Sequence, residues 1–269
     1  MVDSGLEASN IDQIDVASRA DEYQWLSQGK TKLTLTARLL VRILPFVERL
    51  NRSCSKVSND AVLDTAAFAW VPRLERDWRT IRAELDRVLT RKDELPCFQD
   101  ILPDVGLVTG DRGWKSFLLL GVGIRAKRNI EQCPQTWRIL REIPGLSTAM
   151  FSIFEPGKHL EPHRGPYNGL LRLHLGLIVP DASDNVAIRV GSRVCHWDEG
   201  KALIFDDSYE HEAWNRSGQL RVVLFADFVR PLRFPANVVN WVLLQVAARS
   251  PFIREGKDNQ RNWERGFYR

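Results

Sequence analysis

LLRLHLGLIV, residues 170–179, is the stretch on which the fold turns. Leu171, Leu173, Leu175 and Leu177 fall on one side of an extended chain, and Arg172, His174 and Gly176 fall on the other, which is the two-residue period of a strand. A strand that places charge on one face has somewhere for that charge to go, so this one is expected to line a site as well as a core.

The flanking sequence repeats the pattern. Upstream, Met150, Ser152 and Phe154 alternate with Phe151 and Ile153, and an earlier strand is expected over Trp114 to Val122. Downstream, Val186 to Val190 and Arg193 to Trp197 read as a hairpin about Gly191-Ser192. A strand follows at Ala202 to Phe205, then the loop Asp206 to Glu210, a strand from His211 to Trp214, a turn at Asn215 to Gly218 and a strand from Leu220 to Phe228. Short strands joined by tight turns, without alternating helices, predict a mainly β fold with a closed or double-sheet antiparallel core, best described as a jelly roll with flanking helices.

Helical spacing flanks this region. Leu35, Leu39, Ile43 and Phe46 share a face with Leu40, Val47 and Leu50, with Arg38, Arg42 and Arg49 beside it. That face either packs on the β domain or rests on a membrane surface, giving peripheral contact through residues 33–50. A second helix runs through Trp78, Ile81, Leu85, Val88 and Leu89, and a third, from about Thr136, is stopped by Pro144-Gly145. After Pro231 and Pro235 come a helix at about Ala236 to Ala248 and a polar, basic tail carrying Arg254, Lys257, Arg261, Arg265 and Arg269. The expected organisation is a loose leader over residues 1–30, a helical region over 31–109, a β domain over 110–232 and a helix with tail over 233–269.

Composition excludes several classes. Of the 269 residues 44% are hydrophobic and 27% charged, ordinary for a globular chain, and the net charge of +4 is spread among nearly as many acids, which argues against a nucleic-acid partner. Cys54, Cys97, Cys133 and Cys195 lack zinc-site spacing, and the polar N-terminus lacks the basic start and apolar core of a signal peptide, so reduced thiols in the cytoplasm are expected. The longest apolar stretch, Leu33 to Leu50, is broken by charged residues and is not a simple membrane span.

His163 and His211 each stand beside a short loop between strands, and Arg221 follows the second by ten residues. Two neutral imidazoles with open positions opposite them suit a non-haem iron(II) centre. A planar guanidinium one strand further on suits the distal carboxylate of a 2-oxoacid. Arg172 and His174, on one strand face, and Ser152, with its hydroxyl, are further donors; the alternative for Arg172 and its neighbours is salt bridging with acids such as Asp227. The position two after His163, where many such sites carry a carboxylate, is Gly165, so water would complete the metal's sphere.

The runs FSIFEPGKHLEPHRGPYNGLLRLHLGLIVP, EGKALIFDDSYEHEAWN and RVVLFADFVRP resemble the aspartyl/asparaginyl β-hydroxylases, iron(II)- and 2-oxoglutarate-dependent dioxygenases, over roughly residues 110–232. The resemblance implies a double-stranded β-helix of the cupin type, iron(II) on His163 and His211, and 2-oxoglutarate on Ser152, Arg172, His174 and Arg221, with O2 as oxidant. The family also tolerates glycine at the third ligand position, as at Gly165. His159 and His196 are left without a role and are expected to be exposed. No side-chain acid or base is required, so none is named as catalytic.

The substrate follows less directly. Where animal aspartyl hydroxylases carry a basic residue seven positions after the first iron histidine, this chain has Leu170. The order GWKSFLL, CPQTWRIL, IPGLSTAMFS, HRGPYNG and FVRP also resembles the bacterial branch that hydroxylates acyl chains of lipid A or ornithine lipids at membranes. Three readings stand: hydroxylation of an amino-acid side chain, free or in a peptide or protein, placed first; hydroxylation of a lipid acyl chain; and a β-barrel binding module without catalysis.

Overall fold

The structure, a computed structural model, describes residues 35–103, 109–121, 123–180 and 183–269, the side chains of residues 35–41 and 252 excepted. The expected leader over residues 1–30, the side chains of Leu35, Leu39 and Leu40, and Val122 lie outside the described residues. The chain divides into two units, Met1–Ile43 and Leu44–Arg269.

Helices are α1 (Leu35–Cys54), α2 (Val71–Arg76), α3 (Trp78–Leu89), α4 (Phe98–Ile101), α5 (Lys127–Gln132), α6 (Pro134–Leu140), α7 (Ala236–Ala247) and α8 (Pro251–Phe267). Strands are β1 (Val62–Leu63), β2 (Trp114–Gly121), β3 (Ile124–Arg125), β4 (Leu146–Phe154), β5 (His159–His163), β6 (Leu170–Ile178), β7 (Val186–Val190), β8 (Arg193–His196), β9 (Ala202–Phe205), β10 (His211–Asn215) and β11 (Arg221–Val229). They form a seven-stranded sheet, β1-β9-β6-β11-β4-β2-β3, and a four-stranded sheet, β5-β10-β7-β8. Among the described residues the strand ladders are antiparallel, and the two sheets make the expected double-stranded β-helix.

β6 shows why the large sheet has two different faces. Leu171, Leu173, Leu175 and Leu177 are wholly buried in a cluster with Ile81 and Leu85 of α3, Ile139 and Leu140 of α6, and Phe267 of α8. The helices therefore cover the outer face. On the other face His174 lies opposite Phe225, and Met150, Phe154, Val223 and Phe205 join Val186, Ile188 and Val190 of the small sheet in a second core. The site is built within this second layer. At the far edge Val190 pairs with Arg193 around a two-residue turn whose first residue, Gly191, has φ +58°, a conformation that favours glycine.

Two helices depart from expectation. In α1 the buried face is Leu44, Val47, Glu48 and Asn51, whereas Phe46, expected on that face, is 67% exposed. The reason is polar docking: Asn51 donates to Asn168 Oδ1 (3.1 Å), and Asn168 Nδ2 donates to the Glu48 carbonyl (3.0 Å), which turns that side of the helix inward. The expected polar tail is instead largely the helix α8. Ser250 accepts from the Ile253 amide and Pro251 stands in the first turn, so the start signal was present, and Trp263, Phe267 and Tyr268 stack as an aromatic group at its end.

Arg230, just past β11, fastens the loops around the small sheet. Its side chain is fully buried, Nε donates to the Asn168 carbonyl (2.8 Å), and Nη2 pairs with the equally buried Asp206. Removing the guanidinium strands a carboxylate in the interior. Arg230→Ala is expected to lower unfolding stability by about 3–5 kcal/mol. Chemical denaturation of the two proteins measures this, and a loss within error would place the cross-link elsewhere.

Candidate functional site

In the small sheet β5 and β10 run antiparallel with His211 directly opposite His163, and the two rings lie with centroids 4.2 Å apart. His163 Nδ1 is 2.7 Å from the Glu161 carbonyl and His211 Nδ1 is 2.9 Å from the Tyr209 carbonyl. A carbonyl only accepts, so each Nδ1 must donate, and each Nε2 keeps a lone pair. His211 Nε2 is buried and has no partner in the protein. Burial, the main cause, pushes the His163 imidazole down to about 4 and holds that of His211 well below its ordinary value. Both are neutral at physiological pH, the state in which imidazole binds a metal.

Gly165 allows a close approach that no other residue would. A Cβ built there would meet the carboxylate of Asp207 at 2.2 Å, and the Gly165 amide donates to the Asp207 carbonyl (2.7 Å). The space in which a side chain two residues after His163 would begin is thus filled by an acid from the loop before β10. Arg172 holds that acid: Nη2 lies 2.9 Å from Asp207, Nε donates to Asp227 (2.8 Å), and the guanidinium rests on the Phe225 ring. Burial raises the Asp207 carboxyl, and the Arg172 charge opposes the rise. Among the described residues no three His, Cys, Asp or Glu side chains gather in a cluster able to hold a metal.

Arg221 is the opposite case. Its guanidinium is buried between Phe154 (3.7 Å to the ring centroid) and Trp197 (4.5 Å), and Nε and Nη1 have no acceptor. Burial alone pulls it down to about 9. Both ring nitrogens of His174 and Nε1 of Trp197 are likewise buried without partners. Ser152 accepts from Trp114 Nε1 (3.0 Å), which leaves its own hydroxyl proton to give, and the Ser116 hydroxyl across the ladder has no partner. Unsatisfied buried polar groups cost about 1–3 kcal/mol each. A cluster dominated by donors lacks an anion. Phe205 links it to the histidine pair, its ring centroid 5.1 Å from that of His174 and 5.6 Å from that of His211.

Of the residues singled out from sequence, His163 and His211 come together, and Ser152, His174 and Arg221 project from the inward face of the large sheet. Arg172 shares that face, but its Nε and Nη2 are engaged by Asp227 and Asp207, the salt-bridging alternative. His159 and His196 are partly exposed and pair with Glu212 (2.9 Å) and Asp184 (3.0 Å). Asp207, Trp114 and Trp197 were missed. The DD of FDDSYEHE was the available signal for Asp207, but its meeting with Gly165 is tertiary.

The sequence profile of the aspartyl/asparaginyl β-hydroxylases matches residues 75–231. The chain belongs to this family. Among relatives, an ornithine lipid ester-linked acyl 2-hydroxylase of Rhizobium tropici is 58% identical over 231 residues, 86% of this chain and 82% of that protein. The human aspartyl/asparaginyl β-hydroxylase is 34% identical over 173 residues, 62% of this chain and 22% of that protein. A prolyl-4-hydroxylase structure from Pseudomonas putida overlaps 60% of this family member and 98% of its own chain at 15% identity, with a TM-score of 0.37; the fold assignment rests on the strand order above.

Two outcomes follow from this geometry. Gly165→Ala forces Asp207 from its pocket, an overpacking expected to cost about 1–3 kcal/mol; a thermal melt reads it, and an unchanged midpoint would mean the carboxylate moves freely. The neutral imidazoles set a pH dependence. Because the folded-state pKa values of His163, His174 and His211 lie below that of an unfolded histidine, the unfolded chain binds protons first as pH falls below about 6.5. Metal-free protein should therefore lose stability on acidification from pH 7 to 5, by up to about 1.4 kcal/mol per pH unit for each group, down to its folded pKa. His174→Gln should flatten the slope; an identical slope would remove His174 from the account.

Proposed function

We propose that this family member is an iron(II)- and 2-oxoglutarate-dependent hydroxylase acting on a lipid acyl chain. The observation that carries the chemistry is the pairing of two neutral imidazoles, one with a buried and partnerless Nε2, with a buried guanidinium that has no acceptor. The substrate class rests on the 58% identity to the Rhizobium lipid hydroxylase along most of both chains, together with Leu170 at the position where a basic residue would serve a substrate carboxylate. The amino-acid side chain, first from sequence alone, becomes the second reading. It is favoured by the 34% identity to the human enzyme, confined to 22% of that protein.

The residues present fit the cofactors. His163 and His211 would hold the metal through Nε2, their Nδ1 protons fixed on the Glu161 and Tyr209 carbonyls. Bound iron(II) supplies the redox chemistry that couples oxidative decarboxylation of 2-oxoglutarate by O2 to hydroxylation of a C–H bond. Arg221 would take the distal carboxylate of 2-oxoglutarate, with Ser152 and His174 as further donors. Phe154 and Trp197 flank the guanidinium and would shield its ion pair with that carboxylate from water. Arg172 enters chiefly as the clamp that aims Asp207 into the space beside Gly165.

The test supplies purified protein with iron(II), 2-oxoglutarate, air and detergent-dispersed ornithine lipid, and beside it an aspartate-bearing peptide. The lipid is expected to gain one oxygen atom per succinate formed. Oxygen transfer to the peptide alone would return the substrate to the amino-acid reading, and absence of succinate would leave a binding module. Arg221→Ala should raise the KM for 2-oxoglutarate by roughly 30-fold or more, since a buried carboxylate losing its charged partner costs roughly 2–5 kcal/mol, and Arg221→Lys should recover only part because the fork is lost. An unchanged KM would put the anchor on another residue.

A further inference from the structure

α7 has the sequence ANVVNWVLLQVA, without a charged residue, and it buries only Ala236 and Asn240. Its outward side is apolar. Val238, Trp241 (61% exposed), Val242 and Val246 are spaced three, one and four residues apart, which puts them on one face, and Phe234 (78%) is exposed two residues before the helix. A contiguous apolar patch of this kind on a water-facing helix marks an interaction surface. Phe46 of α1 is a further exposed aromatic, 67% exposed, on a helix whose apolar face was expected either on the core or on a membrane surface.

The two helices are tied to one short segment. Tyr167 donates to the Asn240 side chain, whose Nδ2 donates to the Gly169 carbonyl (2.9 Å), and Asn168 bonds Asn51 and the Glu48 carbonyl of α1. Residues 164–169 lead directly out of His163, so both helices pack against the rim of the candidate metal centre. Charge selects the partner. Over 44–54 and 233–249 the exposed charged residues are Arg49, Arg52, Arg233 and Arg249, while Glu48, the acid in these stretches, is buried. A tryptophan among exposed valines, bordered by arginines, suits an interface with apolar chains beneath and phosphate above.

We infer that the Phe234–Val246 face docks this protein on an anionic lipid surface and thereby presents the His163 rim to acyl chains. The inference deepens the lipid reading above and rests on it for its purpose. Held this way, residues 164–169 lie about 10 Å, one helix diameter, from the lipid. An acyl chain then reaches the site without the whole lipid leaving the bilayer.

The test is flotation of the full chain with vesicles of phosphatidylglycerol and phosphatidylcholine, against vesicles of phosphatidylcholine alone, at low and high salt. Wild-type protein is expected to float with the anionic vesicles and to be released by salt. The double variant Val238→Ser/Trp241→Ser should bind at least about tenfold more weakly, with its melting temperature and its succinate yield on detergent-dispersed lipid unchanged. Binding of the variant equal to wild type overturns the inference. So does wild-type protein that ignores vesicles but sediments as a dimer that the variant dissolves, because the face would then be covered by a second copy. If wild-type protein floats through this face yet oxidises no lipid in detergent, the docking surface stands and the lipid-hydroxylase reading falls.

Discussion

One cross-strand pair sets the geometry on which the site depends. His163 and His211 face each other on β5 and β10, and because side chains alternate along a strand, a slip of one residue in that ladder would send one imidazole away from the other. The register is held from both sides: β10 pairs also with β7 through His211 to Asn215, and the irregularity between His211 and Ala213 is confined to the β5 side. Local hydrogen bonds then do what the ladder does not. Each Nδ1 is fixed on a carbonyl two residues earlier, so ring orientation and tautomer are set before any ligand arrives.

Two arginines on the same sheet face show how environment assigns a role to one residue type. Arg172 is satisfied within the protein by Asp207 and Asp227, so it adds little net charge to the pocket. Arg221 is enclosed by aromatic rings with no acid in reach of Nε or Nη1. Isolated buried charge is strongly unfavourable, and His174 and Trp197 are also unpaired beside this one, so an acidic ligand bound there would remove a cost that the folded chain otherwise carries. Such a ligand would contribute to stability as well as to chemistry.

Period-two patterning carried most of the fold. The leucines of β6, the alternation in β4 and the glycine turn between β7 and β8 are local signals, and local structure obeys them. α1 misled because its apolar residues form an acceptable stripe, while the face that docks is chosen by Asn51 and Asn168, which a hydropathy pattern scores as outward. α8 was hidden by its many polar residues, although Ser250-Pro251 announces a helix start. In the candidate site, motif spacing singled out the histidines, which the small sheet brings face to face, and Arg221, which is buried. It could not locate Asp207 against Gly165, because that contact joins the loops before β6 and β10 and exists only once the sheets have closed.

The segment 164–169 joins these levels. It begins at His163, passes Gly165 where Asp207 enters, and ends at Gly169, whose carbonyl is shared by the Arg230 amide and the Asn240 side chain. Asn168 meanwhile receives Arg230 at its carbonyl and α1 at its side chain. A loop with this many buried polar partners has few conformations available, and the partners come from α1, α7, the loop before β10 and the chain just past β11. The second half of α1 and α7 are thus both hydrogen-bonded to the segment that adjoins His163, which ties the outer helices to the small sheet through polar contacts as well as through the core.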